Sequence, residues 1–384
     1  MTSFDETVNS LRHRFEQDNQ PLPRVTLGAI NSDGSFHYAK AFGEEFDSPA
    51  GTNAVYWLAS ATKIITTIAV IQCVERGQLH LDDDIAQVLP EWKDPQILTG
   101  FNDKDEPIFK LATKAITFRQ VILLPVSLML MHGMAYVFME PLLTRYLELY
   151  GKPPIINKSI NEKFPHQFLI FEPGERFMYS PAIDWAGVAV ERVTSMKLGE
   201  YMQRNIFDVV SVNDITFHLD LREDLRARKA KNWERVGDSL KEQTRPIYAD
   251  PAETDFGGGG LFASVNDLLK IYQGLLTGKL LRPETVKEMF QPQLKSISGL
   301  DNPAEHSSAY RNSIWNTIPD DVPINFGIGG VINTAPVLER RGWIDLINGV
   351  AGVYLSQLVP SGDLKAMELL TEFEKFVYSS LEKS

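Results

Sequence analysis

The chain carries one cysteine, Cys73, in 384 residues. A single thiol closes no internal disulfide, which excludes a disulfide-stapled scaffold. Cys73 ends an apolar run that starts at Ile64 and suits a buried, inert thiol. Histidine is sparse too, at positions 13, 37, 80, 132, 166, 218 and 306. No pair has the H-x-x-x-H or H-x-H spacing of a zinc site, so no metal is expected. Positive charge is in deficit: 38 Lys and Arg face 50 Asp and Glu, a net charge of -12. Nucleic-acid binding needs clustered cations to neutralise phosphates, so none is expected. Long hydrophobic runs are missing as well. The greasiest stretch, Val121–Met131 (VILLPVSLMLM), is interrupted by Pro125 and Ser127. It falls well short of the roughly 20 apolar residues of a membrane span. The opening MTSFDETVNSLRHRFEQDNQ has no apolar signal core, which with the lone thiol suggests a cytoplasmic location. Gly327-Ile328-Gly329-Gly330-Val331-Ile332 does not complete G-x-G-x-x-G, so neither a dinucleotide nor any other cofactor is expected.

What is present is ordinary globular material, 43% hydrophobic and 23% charged, in a chain long enough for a large core. Phe4, Val8, Leu11 and Phe15 repeat at helical spacing over residues 1–20. Arg24–Ile30 and Ser35–Phe42 read as two strands around the turn Asn31-Ser32-Asp33-Gly34. Ala59–Arg76 reads as an apolar helix stopped by Gly77. Leu81–Leu89 (LDDDIAQVL) is expected to open another, capped by its aspartates. From 95 to 225 the strand pattern fades, with helices expected at Glu140–Tyr150 and Ala182–Met196. Further expectations are a helix at Val265–Leu276 capped by Ser264, a buried strand at Val350–Leu358, an amphipathic helix at Leu364–Leu381 and a solvated helix face at Arg222–Arg235. The fold class expected is α+β, an antiparallel sheet flanked by helices with an inserted, mostly helical region. The division expected is a discontinuous α/β sheet domain, residues 1–94 and 226–384, around a helical insertion, 95–225.

The chemistry centres on Ser60-Ala61-Thr62-Lys63, an S-x-x-K motif. Residues i and i+3 share a helix face, so hydroxyl and amine can meet. At a helix start the dipole favours a developing alkoxide. The apolar stretch after it, IITTIAVIQC, would bury the lysine stem, and burial disfavours an ammonium. The motif marks serine acyl-enzymes, but four-residue matches are common, and a helix cap followed by a surface lysine explains it as well. A second segment is Phe171-Glu172-Pro173-Gly174-Glu175 followed by Tyr179-Ser180-Pro181-Ala182. A tyrosine phenol beside a lysine can relay a proton. The plainer reading is a turn with a core tyrosine. The run Gly257–Gly260 permits close backbone approach near a cleft.

WLASATK, LHLDDDIAQVLPEW, FEPGERFMYSPA and FGGGGLFASVNDLLK occur in that order. Together they resemble the serine β-lactamase-like superfamily of class C β-lactamases, family VIII carboxylesterases and D-alanyl-D-alanine peptidases. Within it the chain is similar to fungal acyltransferases of polyketide biosynthesis, from about Ser35 to Asp363. The resemblance implies Ser60 as nucleophile, Lys63 as base and Tyr179 as proton relay. It also implies that Tyr136, Gly257, Gly258 and Trp343 line the substrate site; Trp343 as a core residue is the equal alternative. His132 could adjoin the site or serve the core.

Two segments depart from that pattern. After Ile116-Thr117-Phe118-Arg119-Gln120 the family has a short run ending in HTSG; here VILLPVSLMLMHG is longer and lacks the threonine and serine. The family's third motif, a strand supplying an oxyanion donor, should fall between Arg341 and Gly342-Trp343-Ile344-Asp345, where about ten to fifteen residues are absent by comparison. One missing donor typically costs about a hundred- to a thousand-fold in rate.

The reading that results is a serine acyltransferase of fungal secondary metabolism. It would take an acyl group from a small-molecule donor, an acyl thioester on a carrier protein among them, through Ser60 to a small-molecule alcohol. The alternatives are an ester or β-lactam hydrolase of the same mechanism and a catalytically impaired relative kept as a scaffold. The acyl-enzyme is common to the first two, so motifs alone do not separate them.

Overall fold

The strand Val25–Asn31 is buried along nearly its whole length, which a two-faced sandwich requires. In the computed structural model this strand, β1, is central to a four-stranded antiparallel sheet. The sheet's other strands are β2 (His37–Phe42), β3 (Ile344–Asp345) and β4 (Val350–Ser356), in the order β3-β4-β1-β2, so β1 pairs with β2 and β4. The structure describes residues 4–17, 21–22, 24–42, 51–122, 140–151, 156–164, 167–175, 180, 182–294, 322–334 and 343–382.

Alternation along β1 sends Val25, Leu27 and Ala29 to one face. There they meet Phe4, Val8, Leu11 and Phe15 of helix α1 (Phe4–Gln17), and Leu369, Phe373 and Val377 of the final helix. The opposite face meets a helix spanning Val265–Leu276. The contact is so close that a Cβ on Gly28 would lie 2.7 Å from Val265 Cγ2 and 2.9 Å from Leu269 Cδ1. Glycine here is a packing requirement.

Helix α2 (Thr62–Glu75) follows a 3₁₀ turn at Ala59–Ala61 and is buried without a break from Thr62 to Cys73. A helix apolar all round belongs inside a core. It ends as the sequence implies. Gly77 adopts φ +70°, its N–H donates to the Val74 carbonyl and the Gln78 N–H to the Cys73 carbonyl, a Schellman stop. Against α2 packs α3 (Ala182–Thr194). We number the helices at Val265–Leu276 and Leu364–Leu381 α4 and α5. Ser264 caps α4 through its side chain, accepting from the Asp267 N–H, as expected. The main buried cluster draws on Ile30, Ile65, Ile97, Ala189, Leu268 and Leu355, so one core runs through both parts of the chain.

Several local expectations are corrected. Leu81–Leu89 forms only a 3₁₀ turn at Ile85–Gln87, capped by Asp84. Three aspartates in a row favour turns and caps over helix interiors. Residues 95–225 do include helices at Pro141–Tyr150 and α3. They also contain the strands Gln96–Phe101, Pro107–Leu111 and Phe168–Leu169, joined in a three-stranded sheet. Arg222–Arg235 is not one helix face. A single turn, Glu223–Arg226, precedes a strand at Trp233–Val236, and Arg222, Arg226 and Arg228 pair with Asp224, Asp250 and Asp214. Gly327–Gly330 closes an antiparallel hairpin between Ile324–Gly327 and Gly330–Asn333, with no βαβ unit around it among the described residues. No described helix is long and apolar enough to cross a membrane.

Candidate active site

Ser60 sits in the 3₁₀ turn that leads into α2. The residue before it, Ala59, has φ +44°, a conformation that disfavours any residue with a Cβ and marks a sharply bent entry to the helix. Lys63, three positions on, is fully buried. Its Nζ donates to Ser60 Oγ at 3.0 Å and to the Gly258 carbonyl at 2.5 Å. The lysine is therefore no surface residue: its amine is held between the serine hydroxyl and a backbone carbonyl 195 positions away.

The glycine run reaches Ser60 because it is stitched to the same turn. Trp57 Nε1 donates to the Gly259 carbonyl at 2.6 Å. The Leu58 N–H donates to the Leu261 carbonyl at 2.8 Å, and the Leu261 N–H to Thr62 Oγ1 at 3.2 Å. Tyr56–Trp57 and Phe262–Ala263 then pair as short antiparallel strands. Side chains at the glycines would break this arrangement. A Cβ at Gly257 would lie 2.9 Å from Thr66 Cγ2 and 3.1 Å from the Ile183 carbonyl oxygen; one at Gly258 would lie 2.9 Å from Asp184 Oδ1.

In front of Ser60 lies a cleft of about 240 Å³. Its walls include Trp57, Phe217, Tyr248, Phe256 and Phe262. Tyr248 packs edge-on against Phe262 at 4.8 Å and tilted against Trp57 at 5.3 Å. The aromatic wall of the cleft suits the apolar part of a small molecule, beside polar groups from Ser60, Asn157 and Thr254. One cation lines it among the described residues: Lys163, whose Nζ lies 2.5 Å from Asp184 Oδ2 and 4.9 Å from the Phe256 ring centre.

Of the residues expected at the site, the structure brings Ser60, Lys63 and Gly258 together at the cleft. Gly257 lies behind them, its carbonyl accepting from Thr66 Oγ1 at 2.7 Å. Trp343 is not brought there. Its ring stacks on Phe373 of α5 at 5.4 Å and fills the space a side chain on Gly352 would need. It packs with the terminal helices on the far face of the sheet, so the substrate-lining role expected for it gives way to the core alternative. Tyr136, Tyr179 and His132 lie outside the described residues, as do most of the apolar 121–133 segment and the expected gap at 341–342. Among the described residues no group of three His, Cys, Asp or Glu side chains could hold a metal ion.

Sequence reasoning passed over Asp184, Lys163, Trp57, Phe217 and Tyr248. Asp184 carried a signal: it is the lone charge in the apolar opening of α3, AIDWAGVAV, and a charge there needs a partner. Trp57 opens the WLASATK motif just before Ser60, whereas Lys163, Phe217 and Tyr248 carried no signal, because they reach the cleft from separate segments.

A family model described as Beta-lactamase matches residues 26–370. The chain is 33% identical to a lovastatin esterase of Penicillium rubens over 400 residues, covering 94% of this chain and 95% of that one. It is 29% identical to a monacolin J acid methylbutanoyltransferase of Aspergillus terreus over 426 residues, covering 100% and 95%. Among solved structures, the unliganded simvastatin synthase of Aspergillus terreus superposes with a TM-score of 0.86 at 27% identity, over 100% of both chains.

Proposed function

The chain belongs to the beta-lactamase family, and from that premise we propose that it is a serine acyltransferase of fungal secondary metabolism working through an acyl-enzyme on Ser60. The observation that carries this reading is the 3.0 Å contact from Lys63 Nζ to Ser60 Oγ at the cleft. Lys63 takes the hydroxyl proton as Oγ attacks the acyl carbonyl. The tetrahedral intermediate collapses, the thiol or alcohol leaves with a proton, and Ser60 is left as an ester. An acceptor alcohol then gives its proton to the same base and attacks that ester, which frees Ser60. Tyr179 is assigned the relay that protonates the leaving group.

The relatives support small molecules on both sides of the reaction, since one is named for moving a methylbutanoyl group to monacolin J acid. The aromatic wall of the cleft fits an apolar acceptor of that kind. An acyl thioester on a carrier protein is the donor proposed, and the cytoplasm the place. A second reading, with water as acceptor, is favoured by the likeness to an enzyme named as an esterase.

The test is the intact mass of the protein after exposure to p-nitrophenyl butyrate or a butyryl thioester. A butyryl adduct is expected on Ser60 and none on Ser60→Ala. No adduct under either donor would overturn the acyl-enzyme. Adding a small alcohol then decides the acceptor: ester product marks transfer, and free butyrate alone marks hydrolysis.

A further inference from the structure

Asp184 has no place in the mechanism above, yet it is the most deeply buried carboxylate near the cleft, with its side chain fully covered. Both of its oxygens are used. Oδ1 accepts from the Gly258 N–H at 2.7 Å, and Oδ2 from Lys163 Nζ at 2.5 Å. The peptide linking Gly257 to Gly258 is thus held at both ends, its carbonyl by Thr66 Oγ1 and its N–H by Asp184. Glycine rotates freely about φ and ψ, so these two restraints, together with the Gly259 N–H bond to the Phe256 carbonyl at 3.1 Å, set the direction of the next carbonyl. That next carbonyl, on Gly258, is the one that accepts from Lys63 Nζ.

We propose that Asp184 is a positioning residue for the catalytic pair: by holding the Gly258 N–H it aims the Gly258 carbonyl at Lys63, and so holds the Lys63 amine on Ser60. Lys163 is the counter-charge that allows a carboxylate to be buried there. A lone buried carboxylate would cost several kcal/mol. Lys163 is one-fifth exposed, so it supplies the charge from the cleft wall while Asp184 stays dry. The functional element is the acceptor oxygen facing Gly258. The charge pair is the means of placing it.

This rests on the reading of Ser60 and Lys63 given above, and the experiment separates the two. Two double variants are compared, Lys163→Met with Asp184→Asn and Lys163→Met with Asp184→Leu. Both are neutral and branch alike with the same number of side-chain heavy atoms, but only the asparagine offers an oxygen to the Gly258 N–H. Steady-state hydrolysis of p-nitrophenyl butyrate is measured beside thermal melts, with Ser60→Ala run in parallel. The asparagine double variant is expected to keep most of the wild-type kcat. The leucine double variant is expected to fall about a hundred-fold below the asparagine one in kcat, the scale of a misplacement near 1 Å, with the same KM as the asparagine variant, since both lack the cleft-lining Lys163. Equal kcat in the two folded variants would overturn the proposal, since charge balance alone predicts equality. A loss confined to KM would overturn it too. If the leucine variant does not fold, the asparagine variant decides alone. Retained kcat supports the acceptor role, and a folded asparagine variant with kcat down about a hundred-fold overturns it. Undiminished turnover by Ser60→Ala would instead sink the reading of the nucleophile, whatever Asp184 does.

Discussion

Replacing Lys63 by methionine tests the core of the site. Methionine keeps most of the lysine's apolar stem, one atom shorter, but has no donor. Two contacts vanish, one to Ser60 Oγ at 3.0 Å and one to the Gly258 carbonyl at 2.5 Å. A positioned general base contributes about a hundred- to ten-thousand-fold in rate. That is about 3–5 kcal/mol of transition-state stabilisation, at 1.36 kcal/mol per decade. Stability responds differently. Losing two hydrogen bonds at about 0.5–1.5 kcal/mol each costs about 1–3 kcal/mol, while removing a polar group from a fully buried position returns a similar amount. The fold should therefore survive and the chemistry should not. The assay is single-turnover acylation by p-nitrophenyl butyrate, followed by nitrophenolate release, beside a thermal melt. Serine and base act as a unit, so Ser60→Ala with Lys63→Met should be no slower than Ser60→Ala alone. A folded Lys63→Met protein that acylates Ser60 within about tenfold of wild type would refute the assignment.

Two further outcomes are expected. Gly28→Ala must push its Cβ into Val265 and Leu269 of α4, so a loss of about 1–3 kcal/mol is expected in urea unfolding; an unchanged midpoint would show that α4 shifts freely on the sheet. The hydrogen bond that His218 donates to the Asp255 carboxylate raises the imidazole above its ordinary value, outweighing the opposing effect of burial. A raised folded value stabilises fully below the unfolded value of about 6.5 and fades as pH climbs through the folded one. The stability gap between wild type and His218→Gln should therefore be wider at about pH 6 than at about pH 9, and a gap independent of pH would contradict the pairing.

Helices and strands whose pattern is local were legible. The 3.6-residue repeat of Phe4, Val8, Leu11 and Phe15 became α1. The apolar run after Ser60, stopped by Gly77, became α2. The strands of the main sheet on either side of the Asn31–Gly34 turn fell near their expected bounds. Misreadings came where local composition was ambiguous. Leu81–Leu89 has a helical spacing of apolar residues but too many aspartates to hold a helix. Gln96–Leu111 forms a hairpin half-exposed to water, so its alternation is weak. Trp343 could be read either way from its neighbours, and only the stacking on Phe373 places it under α5.

The sequence by itself determined that Ser60 and Lys63 share one face at the start of a buried helix. Spacing along a helix is a property of the backbone, and i and i+3 meet whatever surrounds them. The acceptor that holds the lysine in place was decided only by the tertiary structure. Gly258 is 195 positions from Lys63, and Asp184 is 74 from Gly258. No periodicity relates such residues. They meet because α2, α3 and the glycine run pack into one core, and because the missing side chains at Gly257 and Gly258 let backbone approach where a Cβ would collide.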